Sequence, residues 1–266
     1  MTKIEIFQLL EEGLKELGAD DYDYLYIYSD LRTIGQLRDF TKTKEFFLSR
    51  LVESLLVTES TLIVPTFSYT TSGTFFVDST PTHLGALNSF LLNHQGSMRS
   101  EHPIFSYGAL GSRSSVVKRI AKSAFGPDSL MDRLIGEKSA FLYLGRPVEF
   151  GNTSIHYIEQ RHSVSYRMEK AFDTKVISDG VFVGTDYSAF VRKLDNPNND
   201  YKFSFLASAA ELRRRKIIKE IHLDAAYSNL SLLPFVSTIE VLDELLRKNQ
   251  SAFLQKPLHW DVKLES

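Results

Sequence analysis

The sequence predicts an α/β fold: a central mixed sheet with helices on both faces and an antiparallel section in the C-terminal half. The first 65 residues alternate helix, strand, helix and strand, which is typical of parallel strands joined by crossover helices. The alternating Val- and Phe-rich runs Lys175–Val183 and Tyr187–Val191, with Asp179-Gly180 inside the first run, are typical of a β-hairpin. We expect residues 1–266 to form a single α/β domain, with a candidate division near residue 168.

The elements follow from hydrophobic spacing and from end signals. Apolar residues recur at helical spacing over 3–18, and Gly18 is suited to end that helix. The apolar runs Tyr24–Tyr28 and Thr61–Val64 predict buried strands, the second closed by Pro65. Further helices are predicted at 42–56, 82–94, 114–121, 129–135, 207–218 and 237–249, and further strands at 140–144 and 221–226. Residues 73–81 carry few signals, 99–111 predict a loop entering a strand, and 195–200 predict a turn.

The composition excludes several kinds of function. Hydrophobic residues make up 43% and charged residues 24%, so the chain can bury a core. A net charge of −2 gives no field that would attract nucleic acid or an anionic membrane, and neither is expected as a partner. The chain has no cysteine, which excludes disulfides and thiolate chemistry. The N-terminus predicts an acidic amphipathic helix and no signal peptide, so we expect a cytoplasmic protein.

Several common site motifs are absent from the sequence. No two histidines stand four residues apart and there is no His-Glu-x-x-His, so no metal site is predicted. The phosphate loop, the Gly-x-Gly-x-x-Gly fingerprint and the Gly-x-Ser-x-Gly elbow are also missing. The basic run Arg213–Lys216 is typical of a solvated helix face, with phosphate contact as the alternative.

The stretch Gly145–Arg167 carries the main candidate chemistry. It predicts a Gly-rich turn after a strand and then a helix, with N-cap candidates Asn152, Thr153 and Ser154. His156 and Glu159 are three residues apart and therefore share a helix face. A histidine oriented by a carboxylate is the smallest general-base unit, although such pairs also occur on solvated helix faces. Three other stretches rich in hydroxyls and glycine predict site loops: Tyr28–Gly35, Pro65–Tyr69 and Arg99–Gly111.

Taken in order, these stretches resemble the aminoglycoside 3-N-acetyltransferase family of CoA-dependent acetyltransferases. The matching motifs are Tyr28-Ser-Asp-Leu-x-x-x-Gly35, Pro65-Thr-Phe67, Arg99-Ser-Glu-His-Pro103 with Ser106, Phe125 to Ser129, Asn152-Thr-Ser-Ile-His156 with Glu159, and Tyr166-Arg167. The last hundred residues carry no matching motif. The chain departs from the family at Tyr28, where the drug-modifying members usually carry histidine.

The resemblance implies acyl transfer from acyl-CoA, as co-substrate, to a primary amine. His156 would take the proton of the amine, and Glu159 would orient His156 or bind the substrate ammonium. The hydroxyl of Thr153 or Thr66, or N–H groups at the helix start, would stabilise the oxyanion or the departing thiolate. The positions that the resemblance assigns to coenzyme A are Ser29, Leu31, Arg32, Arg99, Ser100, His102 and Ser106. Those that it assigns to the acceptor are Tyr69, Asn152, Glu159 and Arg167.

The acceptor is predicted from charge. The drug-modifying members must attract polycations, whereas this chain is nearly neutral and mixes basic with aromatic residues near the motif helix. We therefore expect a bacterial enzyme that acylates a nucleotide-linked amino sugar in surface polysaccharide biosynthesis. The alternatives are aminoglycoside 3-N-acetylation and non-catalytic binding of CoA or a sugar nucleotide. The sequence carries no signal for the oligomeric state.

Overall fold

A computed structural model describes residues 3–34, 43–194, 201–223 and 228–256 of the chain, with side chains from residue 7 onward. Four predicted features lie wholly or partly outside the described residues: Gly35, the turn at 195–200, the end of the strand predicted at 221–226, and the tail beyond residue 256. Within the described residues, no helix is long and apolar enough to cross a membrane.

The described residues form seven α-helices and ten strands. The helices are α1 (Lys3–Leu17), α2 (Lys44–Leu56), α3 (Ala86–Leu92), α4 (Leu130–Ile135), α5 (Ser154–Arg161), α6 (Leu206–Arg214) and α7 (Phe235–Lys248). The strands are β1 (Tyr24–Ser29), β2 (Thr61–Pro65), β3 (Ser72–Phe76), β4 (Met98–Arg99), β5 (Tyr107–Leu110), β6 (Ser139–Leu144), β7 (Arg167–Ser178), β8 (Val181–Arg192), β9 (Lys219–Leu223) and β10 (Ser228–Pro234).

Seven strands form a central mixed sheet in the order β4-β5-β2-β1-β6-β10-β9. The central strand β1 pairs in parallel with β2 and with β6. On either side, β5 and β10 pair antiparallel with β2 and β6. The helices divide between the two faces of this sheet, so the predicted fold class is confirmed.

The side chains of β1 alternate between the two hydrophobic cores, one on each face of the sheet. Tyr24, Tyr26 and Tyr28 enter the core on the face covered by α4 to α7. Leu25 and Ile27 enter the core on the opposite face, which α1, α2 and α3 cover. The tyrosine face is therefore the one that meets α5, the helix that carries the main candidate motif.

A second sheet has the order β3-β7-β8. The strands β7 and β8 form the predicted hairpin, and both turn residues have positive φ, 50° at Asp179 and 74° at Gly180. The strand β3 pairs in parallel with β7 and had no sequence signal. In β3 Phe75 alone is buried, so its residues show no alternation between polar and apolar. The single domain with a division near residue 168 stays a prediction.

Three helix predictions are corrected by local hydrogen bonds and dihedral angles. The helix predicted at 82–94 begins at Ala86, because the hydroxyl of Thr82 donates to a carbonyl in the loop after β2. The segment 114–121 forms only the 3₁₀ turn Ser114–Val117, after which the chain becomes extended. The last helix begins at Phe235, two residues before the predicted start at residue 237.

The parallel pairing of β1 and β6 brings two loops together at the carboxyl ends of the strands. Ser29 is in register with Leu144, so the chain leaves both strands side by side. Gly145 has a φ of 65°, and a Cβ there would lie 2.3 Å from Oγ1 of Thr33, which only glycine avoids. The Thr33 hydroxyl in turn donates to the Gly145 carbonyl at 2.6 Å. The two loops are thereby joined beside the start of α5.

Candidate active site

The first turn of α5 is capped by Asn152. Its Oδ1 accepts from the backbone N–H of Ser154 at 3.0 Å, and its Nδ2 donates to the Tyr143 hydroxyl on β6 at 2.9 Å. Thr153, the residue just before the helix, makes no capping hydrogen bond through its side chain. Asn152 therefore ties the helix start to the central sheet, which places His156 one turn further on.

His156 and Glu159 form a hydrogen-bonded pair on α5. Nδ1 of His156 lies 2.9 Å from Oε2 of Glu159. Because a carboxylate can only accept, we assign the proton to Nδ1, which leaves Nε2 with a free lone pair. The His156 side chain is 24% exposed, whereas that of Glu159 is 1% exposed. The buried carboxylate fits the general-base arrangement and not a solvated helix face.

Glu159 is held from two further directions. The Tyr166 hydroxyl donates to Oε1 at 2.8 Å, and Nε of Arg167 lies 2.7 Å from Oε2 in an ion pair. Burial would raise the pKa of Glu159, but its hydrogen bond with His156 and the charge of Arg167 outweigh burial and lower the pKa. Glu159 therefore stays ionised at neutral pH.

The surroundings of His156 keep it neutral. Burial lowers the pKa of His156 most strongly, the hydrogen bond with Glu159 opposes this, and the charges of Arg167 and Arg192 lower the pKa further. The net direction is downward, so the imidazole is uncharged at neutral pH and can accept a proton at Nε2.

Three hydroxyls, which we call the hydroxyl cluster, lie under the start of α5: those of Tyr26, Tyr28 and Thr153. Oγ1 of Thr153 lies 2.7 Å from the Tyr28 oxygen and 3.2 Å from the Tyr26 oxygen. The backbone N–H of Thr153 also donates to the Tyr28 oxygen at 3.0 Å. The two tyrosine rings stack with centroids 4.9 Å apart. Tyr28, where the chain departs from the family motif, is thus bonded directly to the residue before α5.

A cleft of about 370 Å³ opens at this point, and we call it the arginine cleft. It is lined by Tyr28, Asn152, Thr153 and His156 together with three arginines, Arg146, Arg167 and Arg192. Arg167 and Arg192 are cross-strand partners at the base of the β7–β8 hairpin. Three guanidinium groups around one small cleft suit an anionic ligand.

A second pocket, of about 820 Å³, lies along the same helix, and we call it the carboxylate pocket. Its wall includes Asp132, Gln160 and Glu169, and also Phe125, whose ring packs edge-on against His156 at 5.2 Å. Within the described part of the chain, Oε1 of Gln160 is buried without a hydrogen-bond partner. Asp132 and Glu169 place two carboxylates on this wall beside one cation, Arg161, which suits a cationic ligand.

Four predicted site residues lie together in a buried cluster, which we call the Arg99 cluster: Thr66, Arg99, Ser100 and Ser106. The guanidinium of Arg99 donates to the carbonyls of Thr66, Val77 and Thr80 and to the Ser106 hydroxyl. Burial lowers the pKa of Arg99 to about 10, which still leaves it charged at neutral pH. The geometry joins the loops after β2 and β3.

His102 is also buried, with both ring nitrogens engaged by the backbone. Nδ1 accepts from the N–H groups of Ile104 and Phe105, and Nε2 lies 2.9 Å from the Ser188 carbonyl. Burial lowers the pKa of His102 to about 4, so the ring is neutral and donates from Nε2. This arrangement holds the loop before β5 against β8.

The remaining predicted residues lie nearer the surface. Ser29 ends β1, and Leu31 packs against the core of the α1–α3 face. The Arg32 side chain is 89% exposed, and its guanidinium donates to Asp30. Tyr69 is exposed and packs edge-on against Phe105.

Sequence reasoning assigned no site role to Tyr26, Arg146, Arg192, Gln160 and Glu169. Tyr26 looked like an ordinary strand residue, because its hydroxyl contact with Thr153 spans 127 positions. Arg192 lies at the end of β8, and only the register of the hairpin places it opposite Arg167. The spacing of the hairpin turn could have signalled that pairing.

The fold and the geometry can be compared with known proteins. The chain is similar in structure to the YokD protein from Bacillus subtilis, with a TM-score of 0.74 and 18% identity over 92% of this chain and 94% of that one. It is similar to the aminoglycoside acetyltransferase AAC(3)-IVa, with a TM-score of 0.72 and 20% identity over 96% and 92%. It is also similar to AAC-IIIb crystallised with CoASH, with a TM-score of 0.74 and 16% identity over 97% and 99%. At these identities the likeness establishes the fold.

The family model described as aminoglycoside 3-N-acetyltransferase matches residues 27–246. A comparison with curated proteins gave no match. The family match confirms the predicted CoA-dependent N-acyltransferase class and coenzyme A as the co-substrate. It favours the aminoglycoside alternative over the nucleotide-linked amino sugar as the acceptor. The chain belongs to the aminoglycoside 3-N-acetyltransferase family.

Proposed function

We propose that the chain transfers an acyl group from acyl-CoA to an amine of an aminoglycoside-like polyamine, with His156 as the general base. The observation that carries this proposal is the neutral, partly exposed His156 held by the ionised, buried Glu159. That pair lies between a cationic and an acidic cavity, which suits one anionic and one cationic substrate.

The arginine cleft supports binding of the donor. The phosphates of coenzyme A are polyanions, and guanidinium groups pair with phosphate oxygens in a forked geometry. Arg146 and Arg192 line the cleft beside Thr153 and His156, so a donor whose anionic part binds at this cleft enters next to the base. Acyl-CoA supplies the thioester carbon that the amine attacks.

The carboxylate pocket supports binding of the acceptor. Ammonium groups of a polyamine would pair with the carboxylates of Glu169 and Asp132 along its wall. Tyr157 and Phe190 add apolar surface for a sugar ring. The ring of Phe125, which lines this pocket, packs against His156, so an amine bound here lies next to the base.

The chemistry then needs only groups that the chain provides. Nε2 of His156 accepts a proton from the amine as the new C–N bond forms, while Glu159 holds the opposite nitrogen and stabilises the imidazolium. The Thr153 hydroxyl donates to the oxyanion. His156 returns the proton to the departing thiolate as the C–S bond breaks. The products are an amide and free CoA, with no covalent intermediate on the enzyme.

A nucleotide-linked amino sugar is the second candidate acceptor. The three arginines of the arginine cleft favour it, because guanidinium groups suit the diphosphate of a sugar nucleotide just as they suit the phosphates of CoA. The two acceptors differ in charge, so they make opposite demands on the carboxylate pocket.

Thiol release from acetyl-CoA distinguishes the acceptors. We expect turnover with aminoglycosides, and we expect Glu169→Gln to raise the KM of a polycationic acceptor about tenfold, because it removes one attractive charge. The matched control is Glu53→Gln, the same change on α2 at the opposite face of the sheet. Turnover with nucleotide-linked amino sugars alone would establish the second candidate. Absence of thiol release with every amine would overturn the proposed function.

The pH dependence of kcat tests the base directly. Catalysis needs neutral His156, and its pKa lies below the ordinary value of 6.5, so kcat is expected to fall only as the pH drops below that value. Neutralising a nearby cation should raise the pKa, so Arg192→Gln is expected to move the acid limb of the profile upward. An acid limb that stays in place in Arg192→Gln and in His156→Ala would assign the titration to another group.

A further inference from the structure

The buried hydroxyls of the hydroxyl cluster must find their hydrogen-bond partners among themselves. Tyr26 is fully buried, and its hydroxyl contacts Oγ1 of Thr153 and the hydroxyl of Tyr28. Tyr28 is 8% exposed, and its oxygen already accepts from the Thr153 N–H. Its shortest contact is with the same Oγ1, at 2.7 Å.

A threonine oxygen has two lone pairs and one hydrogen. When both tyrosines donate, they fill the two lone pairs of Thr153 and leave its hydrogen without a partner inside the cluster. Thr153 is more exposed than either tyrosine and lines the arginine cleft. In that arrangement the hydrogen of Thr153 can point into the cleft.

The direction of the Thr153 hydroxyl hydrogen affects catalysis because His156, three residues further on, lies on the same side of the helix. The N–H of His156 donates to the Thr153 carbonyl at 3.1 Å, so the two side chains share the face of one turn. A donor at Thr153 and a base at His156 then converge on one reacting carbon.

We propose that Tyr26 and Tyr28 are positioning residues, which donate to Oγ1 of Thr153 and aim its hydroxyl hydrogen at the oxyanion. The inference rests on the proposed function and extends it to the residue at which the chain departs from the family motif. Neither tyrosine touches the reacting atoms. Each acts through Thr153 by fixing the rotation of one hydroxyl.

The test is a double-mutant cycle in kcat. Loss of an oxyanion donor in Thr153→Ala is expected to lower kcat by about a hundredfold, and Thr153→Ser should recover most of it. Tyr28→Phe is expected to lower kcat about tenfold, with the KM of both substrates nearly unchanged, since only the orientation of the donor is lost. Adding Tyr28→Phe to Thr153→Ala should cause no further loss, because the group that it positions is gone.

The matched control is Tyr107→Phe. The Tyr107 ring packs edge-on against Tyr26 at 6.0 Å, and within the described residues its buried hydroxyl has no hydrogen-bond partner. We expect its kcat to equal that of the wild type. Thermal unfolding of each variant shows whether the fold is retained.

The outcomes separate the two proposals. Losses that multiply in the double variant, or an unchanged kcat in Tyr28→Phe, would overturn the positioning role while His156-dependent turnover upholds the proposed function. No turnover by the wild type with any amine would overturn the proposed function and this inference with it.

Discussion

Replacing His156 by alanine is expected to lower kcat by a factor of about 10² to 10⁴, the range that general-base catalysis supplies. The amine must lose a proton as the C–N bond forms, and Nε2 of His156 is the neutral acceptor at the arginine cleft. The KM of acyl-CoA should change little, because the arginines of the cleft remain. Thiol release with a saturating amine gives both constants.

His162→Ala is the matched control for this variant. His162 follows α5, is also 24% exposed and also lies 2.9 Å from a carboxylate oxygen, that of Asp243. It resembles His156 in chemistry but does not line either cavity. If His156→Ala retains kcat within a few-fold of the wild type, or if His162→Ala loses as much, the base is misassigned.

Replacing Arg99 by alanine is expected to lower the free energy of unfolding by about 3–5 kcal/mol, because several buried acceptors lose their donor at once. Three carbonyls and the Ser106 hydroxyl share the Arg99 guanidinium, which is 4% exposed. Arg99→Lys keeps the charge but not the forked donor geometry, so its free energy of unfolding should lie between those of the wild type and Arg99→Ala. Denaturant titration measures the effect.

The Arg99→Ala variant also distinguishes between two roles for Arg99. The family resemblance assigns it to the phosphates of coenzyme A, whereas its hydrogen bonds suit a structural role. A raised KM for acyl-CoA with an unchanged denaturation midpoint would support the phosphate role and contradict our expectation. Arg32→Ala, at a side chain that is 89% exposed, is the control, with stability expected within about 0.5 kcal/mol of the wild type.

Local signals explain what could be predicted from the sequence. The alternation in β1 and the three-residue spacing of His156 and Glu159 involve neighbours in the chain, so periodicity is enough to recognise them. Asn152 was among the predicted caps for the same reason, although only the geometry separates it from Thr153.

Features that depend on distant segments could not be predicted. The strand β3 exists because β7 pairs with it, and its own residues carry no pattern. The family resemblance assigned Arg99 and His102 to coenzyme A, and polar loop residues suit both binding and buried hydrogen bonding. Their burial favours buried hydrogen bonding over ligand binding, and it arises only when the loops pack in the folded structure.

The base of the β7–β8 hairpin borders both cavities. Two cross-strand pairs follow one another there: Arg167 with Arg192 at the arginine cleft, and Glu169 with Phe190 at the carboxylate pocket. Any shift of the hairpin alters both walls together. A substrate that shifted the hairpin on binding in one cavity would change affinity in the other, and by thermodynamic linkage the effect would be reciprocal.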